Sequence, residues 1–274
     1  MQIASTGMTS QNNPNMIDAI VQRTIKETKR FYQVHTEIKK SHGVEHVLAV
    51  YQHSLNAIAS HEPPLTNKQT SREIKIAALL HDVDDRKYFP MHKEYENARQ
   101  IMDQAQVPRN HHDGIIQMIQ LVSCSSNGNH VPDHIQEKSL YHLLIPRWSD
   151  RLEAVGAMGV VRSYQYNKEH NHNLSSSHSP RAQSIEEVWD YATPERFETY
   201  QNSGGVSVDM ISHYYDKLLH VARPPRESVR NAYLEVCGEE GSKELVEVCL
   251  RFGRTGSVDE DFIKGIAKDC SIAL

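Results

Sequence analysis

Residues 76–89 read IAALLHDVDDRKYF. The apolar run Ile76-Ala77-Ala78-Leu79-Leu80 stops at His81-Asp82, and Asp84 and Asp85 follow at once. A turn alone would be satisfied by Asn or Gly. An imidazole and a carboxylate side by side at the end of a buried segment suit a metal ion instead. Upstream, Ser71 offers a hydroxyl cap and Arg72-Glu73-Ile74 open a helix that runs to His81. Adjacent helical residues point about 100° apart. His81 and Asp82 therefore converge on one ion only at the helix end, where the partial negative charge of the carbonyls also favours a cation.

Outward from this stretch the period stays helical. Val44, Val47, Tyr51, Leu55 and Ile58 share one face of GVEHVLAVYQHSLNAIAS, 43–60. Helices are predicted over KEYENARQIMDQA (93–105), GIIQMIQLV (114–122), HIQEKSLYHLLI (134–145, ended by Pro146) and RWSDRLEAVGAMGVVRSYQY (147–166). The glycines of the last imply close contact with a neighbouring helix. SIEEVWDYA (184–192), VDMISHYYDKLLHVA (208–222) and segments near 225–236, 240–252 and 258–268 complete the set. Alternating strand patterns are nearly absent and there is no internal repeat, so the predicted fold class is all-α. Residues 1–16 read as a flexible tail and 17–274 as a single helical domain. A polar, His- and Ser-rich loop insertion spans about 167–183, either a solvent-exposed connection or a lid over a site.

Composition narrows the function. A formal charge of -5 argues against a binder of long nucleic acid or of a membrane surface, which would carry a basic field. Small phosphorylated substrates remain compatible, because a bound cation supplies local positive charge. Cys124, Cys237, Cys249 and Cys270 are scattered, as suits reduced thiols in a cytoplasmic protein. No stretch is long and apolar enough to span a bilayer, and the opening MQIASTGMTSQNNPN lacks the basic and apolar regions of a secretory signal.

Four positions place a ligand-type side chain in an otherwise apolar helical setting: His46, the pair His81 and Asp82, and Asp150 in RWSDRLEAVGAMG. Two imidazoles and two carboxylates suit one divalent ion, Mn²⁺, Fe²⁺, Co²⁺ or Ni²⁺ before Mg²⁺. Singly, a His on an apolar face is more often a core residue and an Asp beside an Arg a surface ion pair. Together they carry more weight.

Their order resembles the H…HD…D signature of the HD-domain metal-dependent phosphohydrolases, and the stretches SHGVEHVLAV, AALLHDVDDRKY, SDRLEAVGAMGVVR and SHYYDKLL are most similar to the small YedJ/YpgQ type. The resemblance implies an HD-type helical bundle with additional C-terminal helices and one divalent metal, Mn²⁺ favoured, held by His46, His81, Asp82 and Asp150. It also implies attack of water on a nucleotide or related phosphate compound, with cleavage of a nucleoside triphosphate to monophosphate and pyrophosphate the leading expectation. By the same resemblance Asp85 orients or deprotonates the attacking water and Lys87 contacts a phosphate oxygen. His213 and Lys217 serve as donors to phosphate or leaving group, and His42 lines the pocket. Arg151 and Glu153 are read as bracing their helix. A homodimer stays compatible. The pattern departs from its relatives at Gly43, Ala49, Trp148 and the LVSCSSN stretch. Two alternatives share the fold: a di-iron oxygenase, which needs two more histidines (His92, His111, His112 and His130 are the candidates), and a non-catalytic metal- or nucleotide-binding regulator.

Overall fold

The computed structural model describes residues 18–39 and 42–270; the tail expected over 1–16 lies outside the described residues. No strand occurs among them, and the fold is all-α. In chain order the helices are α1 (Ala19–Val34), α2 (Val44–Ala59), α3 (Lys68–Leu80), α4 (Glu96–Gln104), α5 (His112–Gln120), α6 (Cys124–Asn127), α7 (Asp133–Glu137) and α8 (Ile145–Leu152). They continue as α9 (Gly156–Glu169), α10 (Ile185–Tyr191), α11 (Pro194–Asn202), α12 (Met210–His213), a π-helical turn (Tyr214–Leu218), α13 (Leu219–Ala222), α14 (Arg226–Val229), α15 (Ala232–Thr255) and α16 (Glu260–Asp269).

The helix that the opening stretch belongs to is the central one. Ile74, Ile76, Ala77, Ala78, Leu79 and Leu80 are all fully buried, and α3 packs against α1, α2, α5 and α8. A helix apolar around most of its circumference is an interior helix. On the opposite flank α15 packs against α8, α9 and α13, so the C-terminal helices close over the side of α8 and α9.

Several boundaries differ from the sequence reading. The cap of α3 is Asn67, not Ser71: its side chain accepts the Gln69 and Thr70 amides at 2.9 and 3.3 Å. Pro146 opens α8 rather than ending a helix, because a first-turn proline lacks only an amide that has no intrahelical partner there. The predicted helix 147–166 breaks at Glu153–Val155. Gly156 restarts it with φ +64, a backbone conformation that costs a residue with a Cβ dearly; a Cβ there would lie 3.6 Å from the Cα of Gly241, in ordinary contact. Conversely, the two helices expected on either side of 237–239 are one continuous α15. Gly238 and Gly241 are packing notches within it, where a Cβ would meet the Ala222 carbonyl at 2.9 Å and Val155 at 2.7 Å.

The polar loop begins after Glu169 and is fastened down. One Asp209 oxygen accepts the Ser176 and Ser179 hydroxyls at 2.6 and 2.8 Å, while the other caps α12 through the Ser212 amide at 2.7 Å. The carbonyls of Asn173 and Leu174 accept the first two amides of α12 at 3.0 and 3.1 Å. Ala182 is fully buried against Gly253 of α15. Two of its serines, Ser176 and Ser179, are therefore tethers to the body of the protein.

Candidate metal centre

α2 turns His46 inward with Val47 and Val50, all three buried. α3 ends at Leu80, leaving His81 as its cap and Asp82 in the turn beyond, so the adjacent pair does converge at a helix end. α8 brings Asp150. The Nε2 atoms of His46 and His81 stand 3.2 Å apart. Asp150 Oδ1 lies 3.2 Å from His46 Nε2 and 3.5 Å from His81 Nε2. Asp82 reaches His46 with one oxygen at 3.4 Å and His81 with the other at 3.5 Å. Donor atoms bound at about 2.1 Å to one shared cation stand roughly 3.0–3.4 Å from one another, so this spacing fits an ion. His46, His81 and Asp150 form a group that could hold one.

The tautomer of His81 is fixed by its own helix. Nδ1–H donates to the Ala78 carbonyl at 2.9 Å, which turns the Nε2 lone pair toward the cluster. His46 Nδ1 instead has two neighbours, Arg162 Nη1 at 3.1 Å and Glu153 Oε2 at 3.8 Å. Glu153 in turn meets His53 Nε2 at 3.3 Å, and His53 Nδ1 pairs with the Tyr233 hydroxyl at 2.7 Å. Glu153 therefore does more than brace its helix: it sets a negative charge 3.8 Å from His46 Nδ1, beyond direct hydrogen-bond reach. The sequence reading gave Glu153 only a bracing role and Arg162 no role at the site, although both lie in the SDRLEAVGAMGVVR stretch.

Burial and Arg162 oppose a charge on His46, but the carboxylates of Asp150, Asp82 and Glu153 outweigh them and push its pKa up to about 10. His81 is also raised: burial opposes its charge, and Asp82 and Asp150 prevail. Burial works against the charges of Asp82 and Asp150 as well, yet the two imidazoles hold both carboxyls well below the usual carboxylate range. A group whose folded pKa is raised contributes stability that is complete below its unfolded pKa and lost as pH rises through the folded value. For His46 that window runs from 6.5 to about 10. Metal binding needs both Nε2 atoms deprotonated. We therefore expect Mn²⁺ titration at pH 8 to release protons, and Mn²⁺ affinity to rise with pH across that window while the stability of the protein alone falls. Calorimetry in buffers of different ionisation enthalpy measures the release; a proton count of zero would remove the imidazoles from the ion's coordination.

Around the cluster the remaining candidate residues do assemble. Lys87 Nζ lies 3.3 Å from His42 Nε2 and 5.9 Å from the Tyr166 ring centroid. Burial and the Lys87 charge take His42 down to about 3 even though Asp82 favours its protonation, so the imidazole is a neutral acceptor for the ammonium. His213, pushed down to about 3 by burial, Lys217 and Lys87, meets the Ser207 hydroxyl at 3.2 Å. Lys217 follows in the π-helical turn, and it stays charged despite burial through Tyr200, Cys124 and Asp150. Asp85 accepts the Lys87 amide at 2.9 Å, a turn-capping role, and burial together with Asp82 raises its pKa.

The other histidines are engaged elsewhere. His92 pairs with Asp84 at 3.0 Å, His111 with Glu73 at 3.0 Å, and buried His112 with the Val107 carbonyl at 3.0 Å. His130 is exposed, and its carbonyl accepts from Arg147. A second acidic group, Asp84, His92 and Glu96, is spaced for a cation. Both Asp84 oxygens, however, already accept first-turn amides of α4, the second and third, from Asn97 and Ala98 at 3.0 and 2.8 Å. Trp148, at the departure from the family pattern, is buried with the Arg151 guanidinium 4.5 Å from its ring, a core role away from the ligands.

These features define an all-helical protein with a buried His/Asp cluster able to hold a metal ion. No family model matches the chain. The uncharacterized protein L803 of Acanthamoeba polyphaga mimivirus is 34% identical over 223 residues, 77% of this chain and 88% of that protein. At that identity and coverage, the chain belongs to the same family as L803. Among solved structures, a protein from Lactobacillus plantarum matches with a TM-score of 0.56 at 16% identity, over 94% of this chain and 100% of its own. The Lin1889 protein from Listeria innocua matches with a TM-score of 0.51 at 18% identity, over the same shares. At such identities the likeness is one of fold. No helix among the described residues is long and apolar enough to cross a membrane.

Proposed function

We propose that the protein is a divalent-metal-dependent phosphohydrolase of the HD type acting on a nucleotide, with a nucleoside triphosphate cleaved to monophosphate and pyrophosphate as the leading reaction. One observation carries this reading: the Nε2 atoms of His46 and His81 stand 3.2 Å apart, and oxygens of Asp150 and Asp82 lie 3.2–3.5 Å from them, with Arg162 3.1 Å from His46 and Lys87 3.3 Å from His42. His46, His81, Asp82 and Asp150 would hold the ion, with Mn²⁺ favoured by the mixed nitrogen and oxygen donors. When bound, a divalent cation supplies Lewis-acid chemistry, neutralising phosphate charge and lowering the pKa of water.

The chain's own residues do the rest. Asp85, with its pKa raised by burial and Asp82, is suited to take a proton from water. Lys87 and Lys217 offset the negative charge that grows on the leaving pyrophosphate as the α–β bond breaks. Neutral His42 orients the Lys87 ammonium at 3.3 Å.

Incubating the Mn²⁺-loaded protein with nucleoside mono-, di- and triphosphates, and separating released phosphate from pyrophosphate, tests the proposal. Failure to turn over any of them, or simple phosphoesters, overturns it in favour of a binding module. Lys87→Ala should lower turnover by about 100–1000-fold with the bound Mn²⁺ unchanged. A wild-type rate would take Lys87 out of the site.

A further inference from the structure

We propose that the base of the nucleotide lies against a ring cluster of Tyr166, His170 and His172 at the C-terminal end of α9, with its phosphates running from there to the His/Asp cluster. This rests on the hydrolase reading and names the part of the substrate which that reading leaves open.

Arg162, Tyr166 and His170 follow one another at four-residue intervals and so share one face of α9 and its end. At about 1.5 Å per residue, Tyr166 stands roughly 6 Å and His170 roughly 12 Å along the axis from Arg162. Arg162 marks the metal end, 3.1 Å from His46. Lys87 links the two ends, with its ammonium 3.3 Å from His42 and 5.9 Å from the Tyr166 ring.

At the far end the three rings gather. Tyr166 and His170 have centroids 4.3 Å apart, Tyr166 and His172 5.7 Å, and the two imidazoles 5.8 Å. His170 Nδ1 donates to the Tyr166 carbonyl at 2.8 Å, which fixes that ring relative to the helix end. Tyr166 is half-buried, and both histidines are exposed and able to receive a flat partner.

A nucleotide has the same polarity: anionic oxygens at one end and an aromatic heterocycle at the other. Stacking on such rings tolerates every base, because each presents a π-face. The cluster therefore predicts selection for a base over none, and weak discrimination among bases.

The test is calorimetric binding to the full chain in Mn²⁺ buffer, comparing a nucleoside triphosphate with inorganic tripolyphosphate, which has the phosphates and no base. His170→Ala combined with His172→Ala changes exposed residues only. It should weaken nucleotide binding about tenfold and leave tripolyphosphate affinity unaltered. Tyr166→Ala should act in the same direction and Tyr166→Phe should bind as wild type. An unchanged nucleotide Kd in the double variant, a parallel loss for tripolyphosphate, or a wild-type chain that prefers tripolyphosphate overturns the base subsite. Because the readout is binding, it is decided even if the wild-type chain hydrolyses nothing, the result that would remove the hydrolase reading itself.

Discussion

Asp82→Ala is expected to abolish Mn²⁺ binding and nucleotide hydrolysis together, turnover falling to that of the metal-free protein, with helical content unchanged. Asp82 is the residue whose two oxygens face both imidazoles, at 3.4 and 3.5 Å, so its removal takes a donor and a negative charge from the same place. Losing an outer-sphere partner lowers metal affinity by about 10–100-fold, and losing a donor should exceed that. The fold should survive because Asp82 lies in the turn after α3, while the packing of that helix rests on fully buried Leu79 and Leu80. Asp82→Asn separates charge from shape and should also lose the metal. Metal content by mass spectrometry and pyrophosphate release are the readouts. Full Mn²⁺ occupancy with undiminished turnover in the alanine variant would refute the ligand assignment.

Arg147→Met should produce the largest loss of stability among the residues considered. Arg147 is completely buried and has carbonyls, not a carboxylate, for partners: Nε donates to Leu121 at 2.6 Å and Nη1 to His130 at 2.7 Å. Burial and the neighbouring Arg151 charge bring its pKa down to about 9, still charged at neutral pH. One turn on, buried Arg151 holds the Gly128 carbonyl and the Asn129 side chain. The two guanidinium groups thus fasten the 121–130 segment to α8, the helix that carries Asp150. Methionine fills much of the volume but leaves the buried Leu121 carbonyl and the part-buried His130 carbonyl without their donor, at about 1–3 kcal/mol each. With about 2–4 °C of melting temperature per kcal/mol in a chain of this size, a fall of roughly 10 °C is expected by circular dichroism. Lysine should not rescue it, since one ammonium cannot reproduce a planar fork aimed at two carbonyls. An unshifted melting curve would show that the segment is held by something else.

Much of this was legible in the chain. Periodicity located α2, the end of α3, and α10 because a buried helical face must repeat apolar residues whatever it packs against. The same logic failed where packing, not local preference, sets the boundary. The gap left between the segments near 225–236 and 240–252 lies inside α15, where Gly238 and Gly241 let the Ala222 carbonyl and Val155 press on positions where no Cβ fits. Pro146 read as a stop and proves to be a start, since proline is tolerated in a first turn and disfavoured only further in. The serines of the polar loop gave no hint that Asp209, some thirty residues on, would gather two of their hydroxyls.

The sequence alone determined the all-helical class and the ligand-type side chains at 46, 81, 82 and 150, because helical period and donor chemistry are properties of residues and their near neighbours. Tertiary structure decided which of them face one another, and it added Glu153 and Arg162 beside His46 and the ring cluster beyond Lys87. The physical reason is range. Arg162 meets His46 across 116 positions, and a contact of that separation is set by how α2, α8 and α9 pack, which no local pattern encodes.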